Sequence, residues 1–187
     1  MSRSPVIVFA AIAAVTAYAA GMGLKPGLWE VKIVKHIVDG RDQTAQMAGA
    51  ADKMQQAMAN MPAAQRAQME AAMKQHGMGQ GSDGGFRICI TPEMAKMDKP
   101  VLDKEGRCQP ATVTHSGNQT SFEYSCAFNG STMKGKGVST VSADTVATHV
   151  ESISTDSKGA SHTMQNDTQM TYVSADCGDV QPPGGAK

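Results

Sequence analysis

The sequence predicts a mainly β protein, an antiparallel meander of about six or seven strands curled into an open, barrel-like sheet, with a helical insertion after the first strand. Three observations predict it. Short runs of alternating apolar and polar residues recur along the chain. Hairpin-length turns separate the runs of the second half, as in antiparallel sheets. One segment between the first two runs is instead rich in Ala, Gln and Met, which favour helix.

The first predicted strand covers residues 27–38, GLWEVKIVKHIV. Trp29, Val31 and Ile33 alternate with charged residues. This period of two is typical of a strand with one buried and one solvated face.

The insertion over 44–81 contains seven of the fourteen methionines and is predicted to form two helices. Pro62 ends or kinks the first, because proline disfavours helical geometry at the residue before it. Gly77 stands where a left-handed cap would end the second. The apolar stripe of the first helix is Met47, Ala50, Ala51, Met54, Met58 and Met61; that of the second is Met69, Ala72, Met73 and His76.

The remaining chain reads as short strands with turn residues between them. Ser116, Gly117 and Asn118 are a hairpin signal, and Thr91 is placed to cap a short helix that runs through Lys96. Six more strands are predicted, over 86–90, 111–115, 120–128, 133–141, 145–153 and 161–173. On the third of these, the residues predicted to share one face are Phe122, Tyr124, Cys126 and Phe128.

The N-terminal segment 1–19 has the features of a cleaved signal peptide: Arg3, an apolar run, and the small-x-small pattern that ends at Ala19. The alternative is a retained membrane anchor, but the run is short of the roughly 20 residues that a spanning helix needs. We therefore expect an exported protein with a single domain over 20–178, no transmembrane segment after cleavage, and a disordered tail over 179–187.

Four cysteines, in a chain with only 4% aromatic residues, predict two structural disulfides that reinforce a thin core. A hairpin centred on Gly117 places Cys108 nearly opposite Cys126, within disulfide reach. Cys89 is then left to pair with Cys177. The alternative, a redox or metal site, lacks a CxxC motif or zinc-module spacing.

Charge and motifs exclude several functions. Lys and Arg balance Asp and Glu at 17 each and form no basic stripe, so no nucleic acid partner is expected. No metalloprotease, serine hydrolase, P-loop or dinucleotide motif is present, and we expect no enzyme. His149 and Glu151, on one strand face, are the one pair that resembles a base and its orienting group, an arrangement common by chance in strands.

These residues resemble the DUF3617 family of exported bacterial proteins of unknown function. The resemblance rests on the segments 27–30 (GLWE), 89–93 (CITPE), 108–126 around the hairpin, and 176–177 (DC), and it includes the Met-rich insertion. It implies a periplasmic, β-rich, disulfide-bonded protein. It implies no activity and no site residues.

Three hypotheses about function remain, of which the last is a purely structural or stress-related envelope protein that binds no ligand. The first is a non-catalytic periplasmic or envelope-associated protein that binds a small apolar ligand or an envelope protein and needs no cofactor. The second is a copper-binding protein, because thioethers are soft ligands for Cu(I); the candidate ligands are Met54, Met58, Met61 and His76. Methionine stripes at helical spacing otherwise serve packing.

Overall fold

A computed structural model describes residues 24–75, 77–82, 84–97 and 107–182. The protein is mainly β, as predicted, and the described residues form nine strands in one antiparallel sheet. The signal-peptide prediction lies outside the described residues. The long strands are β1 (Gly27–Val38), β4 (Phe86–Ile90), β5 (Cys108–Ser116), β6 (Gln119–Phe128), β7 (Ser131–Val141), β8 (Thr145–Thr155) and β9 (Ser161–Ser174); the two-residue strands are β2 (Arg41–Asp42) and β3 (Gly79–Gln80); the helices are α1 (Thr44–Ala59), α2 (Ala63–Gln75) and α3 (Pro92–Ala95).

The strand order is β3-β4-β1-β9-β8-β7-β6-β5, and β2 pairs with the far end of β1. Strands β5 to β9 form the predicted meander of hairpins. The sheet is not closed, since β3 and β5 end the order at opposite edges. The sequence did not predict that β1 lies between β9 and β4 rather than at an edge, because period-two patterns carry no information on pairing partners.

One face of the sheet, which we call the apolar face, carries most of the core. Strict alternation along β6 buries three of the four side chains that were predicted to share a face, Phe122, Tyr124 and Cys126, and leaves Phe128 at the strand end half-buried. A second cluster surrounds Trp29, which is fully buried, donates from Nε1 to the Lys25 carbonyl at 2.8 Å and meets the Tyr172 ring edge-on at 5.4 Å. Of the six aromatic residues in the described part of the chain, all but Phe86 therefore lie in these two clusters.

Both disulfides join the cysteines that the sequence paired. Cys108 and Cys126 are directly opposite on β5 and β6, with Cα atoms 4.1 Å apart. Cys89 on β4 joins Cys177, with Cα atoms 5.5 Å apart. Because disulfides persist in oxidising compartments, the pairs indicate a protein exported from the cytoplasm.

The C-terminal prediction needs correction. Val180 falls within the tail predicted to be disordered, yet it is buried against Leu28 and Cys89. The disulfide at Cys177 holds this segment beside β1, which the sequence pattern alone did not indicate. The ordered chain therefore extends past residue 178; residues 183–187 lie outside the described part.

The two long helices pack lightly on the sheet. In α1 only Met58 is buried, and no described side chain of α2 is. The break between the helices falls at Pro62, and Gly77 has the left-handed φ of 78° that was predicted for the end of the second. No helix in the described part of the chain combines the length and the apolar character required to cross a bilayer.

Candidate functional site

The most apolar cavity among those described lies between α1 and β1, and we call it the β1–α1 groove. Its volume is about 190 Å³. It is mainly apolar, and its lining residues are Val31, Lys32, Ile33, Val34, Thr44, Met47, Ala48, Ala51, Gly84, Gly85 and Phe86.

A β-bulge in β1 forms the wall of the groove. Ile33 is opposite Thr168 of β9, and Lys35 is opposite Asp167, so Val34 is an extra residue without a partner on β9. A bulge bends its strand and re-aims the neighbouring side chains. Here it leaves Val34 50% exposed and Ile33 41% exposed at the groove. The two apolar side chains are adjacent and border one concavity, and contiguous exposed apolar surface of this kind is typical of an interaction site.

The opposite wall is the N-terminal half of α1. Met47 is 37% exposed at the groove, and Ala48 and Ala51 keep the helix surface low beside it. The His36 backbone N–H donates to Thr44 Oγ1 at 2.8 Å, which fastens the start of the helix to β1. Helix and bulged strand are therefore held next to each other without filling the space between them.

Two glycines allow a loop to close one end of the groove. A Cβ atom on Gly85 would lie 2.9 Å from the Val31 carbonyl oxygen, and one on Gly84 would lie 3.1 Å from Ala51 Cβ. Gly84 also has a φ of 75°, which side chains disfavour. Only glycine fits both positions without displacing the groove walls.

The charges nearest the groove are paired with each other. Lys32 Nζ lies 3.6 Å from Glu30 Oε1, and Arg87 Nε lies 3.5 Å from Glu30 Oε2. Ser82 Oγ donates to Glu30 at 2.5 Å, and this hydrogen bond is the main reason that the pKa of the Glu30 carboxyl is lowered. The groove therefore suits an uncharged aliphatic group.

The four described histidines have four different partners. Each of the four described ones contacts a polar side chain of a neighbouring segment. The pairs are His36 with Asn166 at 2.5 Å, His115 with Thr120 at 2.9 Å, His149 with Asp167, and His162 with Asp39 at 2.8 Å.

The His149 and Glu151 pair, noted in the sequence, lies on the opposite, polar face of the sheet. His149 Nδ1 contacts Asp167, and Nε2 lies 3.6 Å from Glu151, which also pairs with Lys136 at 3.1 Å. The pKa of His149 is raised, mainly because of the hydrogen bond to Asp167. Because both ring nitrogens face carboxylates, the arrangement is an ion-pair network across strands.

The proposed copper ligands occupy different environments. Met54 is 63% exposed and Met58, one helical turn later, is 5% exposed. Met61 is half-buried, and His76 lies outside the described residues. Among the described residues, no group of three or more His, Cys, Asp or Glu is arranged to hold a metal ion. Copper binding stays a prediction.

The groove was not predicted, although the sequence contains a signal for it. Ile33 and Val34 are consecutive apolar residues, and they break the alternation of β1 where the bulge occurs. The pattern over 27–38 otherwise predicts a regular strand, and the bulge departs from that prediction. The sequence places Met47 in the apolar stripe of the first helix. A helical pattern does not indicate which part of such a stripe is left exposed when the helix packs on the sheet.

The fold defines a class: an open antiparallel sheet of disulfide-linked strands, with a methionine-rich helical arm after the first strand. A family model described as "Protein of unknown function (DUF3617)" matches residues 24–177. The chain belongs to this family. It is 35% identical over 106 residues to an "Uncharacterized protein in lpd-3 5'region" of Pseudomonas putida, across 55% of this chain and 69% of that protein. No solved structure matches it significantly.

Proposed function

We propose that the chain is a non-catalytic periplasmic binding protein that holds a small aliphatic ligand in the β1–α1 groove. The observation that carries this proposal is the exposure of Ile33, Val34 and Met47 around one cavity. Contiguous apolar surface is costly to leave in water, and it marks ligand or partner sites when it lines a concavity.

The size of the groove favours an alkyl chain. Pockets for drug-sized molecules usually begin at about 300 Å³, and the groove measures about 190 Å³. It therefore has room for a segment of an unbranched chain, with the remainder of the ligand outside. Methionine at the wall supports this choice, since its flexible thioether adapts to variable alkyl shapes.

A fluorescence titration with trans-parinaric acid, a straight-chain polyene fatty acid that brightens in apolar surroundings, tests the proposal. We expect saturable binding of one molecule per chain. Val34→Asp should weaken it at least about tenfold, because a carboxylate at the wall would lose solvation when the alkyl chain enters. Ile153→Asp is the matched control, since Ile153 is a β-branched residue with 52% exposure on β8, away from the groove.

Binding that Val34→Asp and Ile153→Asp weaken equally would show that the probe attaches to exposed apolar residues in general, and would contradict the proposal. Absence of saturable binding to the unmodified protein would contradict it as well. Capture of an envelope protein in place of a fatty acid would contradict the alkyl proposal and favour the envelope partner named in the first hypothesis drawn from the sequence.

Copper binding is the second candidate. The exposed thioether of Met54 is accessible to a soft metal, which favours it, whereas the burial of Met58 opposes it. Titration with Cu(I) under anaerobic conditions separates the two functions. Binding in the micromolar range or tighter that is lost when Met54, Met58 and Met61 become Leu would establish copper; the alkyl proposal expects the same substitutions to leave parinaric acid binding intact.

A further inference from the structure

We propose that Met47 is a site of reversible oxidation, and that its conversion to the sulfoxide closes the β1–α1 groove to alkyl ligands. This inference rests on the proposed function. It gives the groove a form of regulation that neither the family match nor the sequence patterns indicate.

Met47 combines two properties that a switch requires. Its side chain is more than one-third exposed, so a small oxidant can reach the sulfur, and it lines the groove beside Ile33 and Val34. The two disulfides indicate that the protein occupies an oxidising compartment.

The surroundings of Met47 suit the thioether and not the sulfoxide. Oxidation converts a flexible apolar side chain into a polar one with a strong hydrogen-bond acceptor. The nearest lining residues on the helix side are Ala48 and Ala51, which offer no side-chain donor. The hydroxyl of Thr44 accepts from the His36 N–H, and its own proton is directed to the Asp42 carboxylate, a hydrogen bond that is the main cause of the lowered pKa of Asp42. An alkyl chain in the groove would therefore remove the sulfoxide oxygen from water with little compensation.

The other helical methionines provide internal standards. Met54 is the most exposed of them and is outside the groove lining, so we expect it to oxidise readily without consequence. Met58 is buried, so we expect it to oxidise last. The effect on binding should therefore follow Met47 and not the total extent of oxidation.

The chemistry is a two-electron oxygen transfer from a peroxide. The sulfur lone pair attacks one peroxide oxygen, the O–O bond breaks, and one oxygen forms the S–O bond while the other leaves as water. The sulfur is oxidised and the peroxide is reduced. Methionine sulfoxide reductases return the thioether with a dithiol as the reductant: the S–O bond breaks, the oxygen leaves as water, and the dithiol is oxidised to a disulfide.

The experiment uses the secreted, disulfide-bonded protein, treated with graded hydrogen peroxide and desalted before titration with trans-parinaric acid. Peptide mass spectrometry reports the oxidation of each methionine. We expect affinity to fall about tenfold as Met47 is oxidised, the loss typical of an unpaired polar group in an apolar contact. Met47→Leu, compared with its own untreated sample, should show no loss of affinity after peroxide, since leucine cannot be oxidised. Met54→Leu should lose affinity as the unmodified protein does.

A reciprocal measurement uses lauric acid, which peroxide does not consume. Because an alkyl chain in the groove would cover the Met47 thioether and shield it from peroxide, saturating lauric acid should slow the oxidation of Met47 and leave that of Met54, outside the groove lining, unchanged. An equal loss of affinity for parinaric acid after peroxide in Met47→Leu and in the unmodified protein would overturn the inference. Full affinity in protein whose Met47 is oxidised would overturn it as well. In both of these results the untreated protein still binds the probe, so the inference fails while the proposed function stands. If the untreated protein does not bind, the proposed function and the inference are both contradicted.

Discussion

The ring of Tyr124 on β6 lies across Gly135 on β7, where no side chain keeps it from the neighbouring strand. The two residues are directly opposite, and a Cβ atom on Gly135 would lie 2.5 Å from Tyr124 Cζ. Phe122 and Gly137, one pair further along, repeat the arrangement at 2.4 Å. Aromatic rings over glycines in a strand replace the missing side chains and fix the register.

Gly135→Ala is therefore expected to destabilise the protein by about 1–3 kcal/mol, the usual cost of overpacking a filled core. Tyr124 is buried, so its ring has no free space into which to move. Urea unfolding followed by tryptophan fluorescence measures the change. The control is Gly49→Ala in α1, where an added Cβ meets nothing within 4 Å. It should stabilise by up to about 1 kcal/mol, because alanine is the better helix former. A change of the same sign in the free energy of unfolding of both variants would contradict this account.

The helical methionines should differ in their contribution to stability. We expect Met58→Ala to lower the free energy of unfolding by about 2–5 kcal/mol, since it empties a buried site, and Met54→Ala to change it by less than about 0.5 kcal/mol. Equal small effects would show that α1 is not anchored through Met58. Urea unfolding of the two variants decides between these outcomes.

His149 predicts a pH-dependent contribution to stability. Its pKa is raised in the folded protein, mainly by the hydrogen bond to Asp167 and also by Glu151. Protonated His149 therefore stabilises the fold fully below the ordinary histidine pKa, and the contribution is lost as pH rises through the raised value. A double-mutant cycle with His149→Gln and Asp167→Asn, measured from pH 5 to pH 9, should give a coupling of up to about 1 kcal/mol at the acid end, because the pair is half exposed. A coupling that grows as pH rises would contradict the assignment.

The two disulfides should contribute unequally. The sequence separations that they close are 18 and 88 residues. Loop-closure entropy then gives about 3 kcal/mol for the pair of Cys108 and Cys126 and about 4.5 kcal/mol for the pair of Cys89 and Cys177. Chemical denaturation of the Cys→Ala double variants, one disulfide at a time, measures both. A larger loss from the shorter loop would show that strain or residual structure in the unfolded chain outweighs chain entropy.

The sequence predicted the elements closely where local chemistry determines them. Alternation located β6, Pro62 separated the helices, and the hairpin at Gly117 paired Cys108 with Cys126. The sequence did not predict the features that depend on contacts between distant segments. The place of β1 beside β9 and the burial of Val180 come from tertiary contacts that no local pattern encodes.

The candidate site was missed for the same reason. The consecutive residues Ile33 and Val34 marked an irregularity in β1, but only the register with β9 shows that it is a bulge. Whether the stripe that contains Met47 is covered depends on how α1 lies on the sheet. The sequence therefore indicated that the helical arm carries flexible apolar side chains, but it did not indicate where on the arm a ligand would bind.

Native mass spectrometry of the protein, gently purified from the cells that express it, tests the central claim most directly. The account predicts a one-to-one adduct with the mass of an aliphatic molecule in the unmodified protein and in Ile153→Asp, and its loss in Val34→Asp. Unliganded protein throughout, with no adduct formed when lauric acid is added, would contradict the claim that the β1–α1 groove is a ligand site.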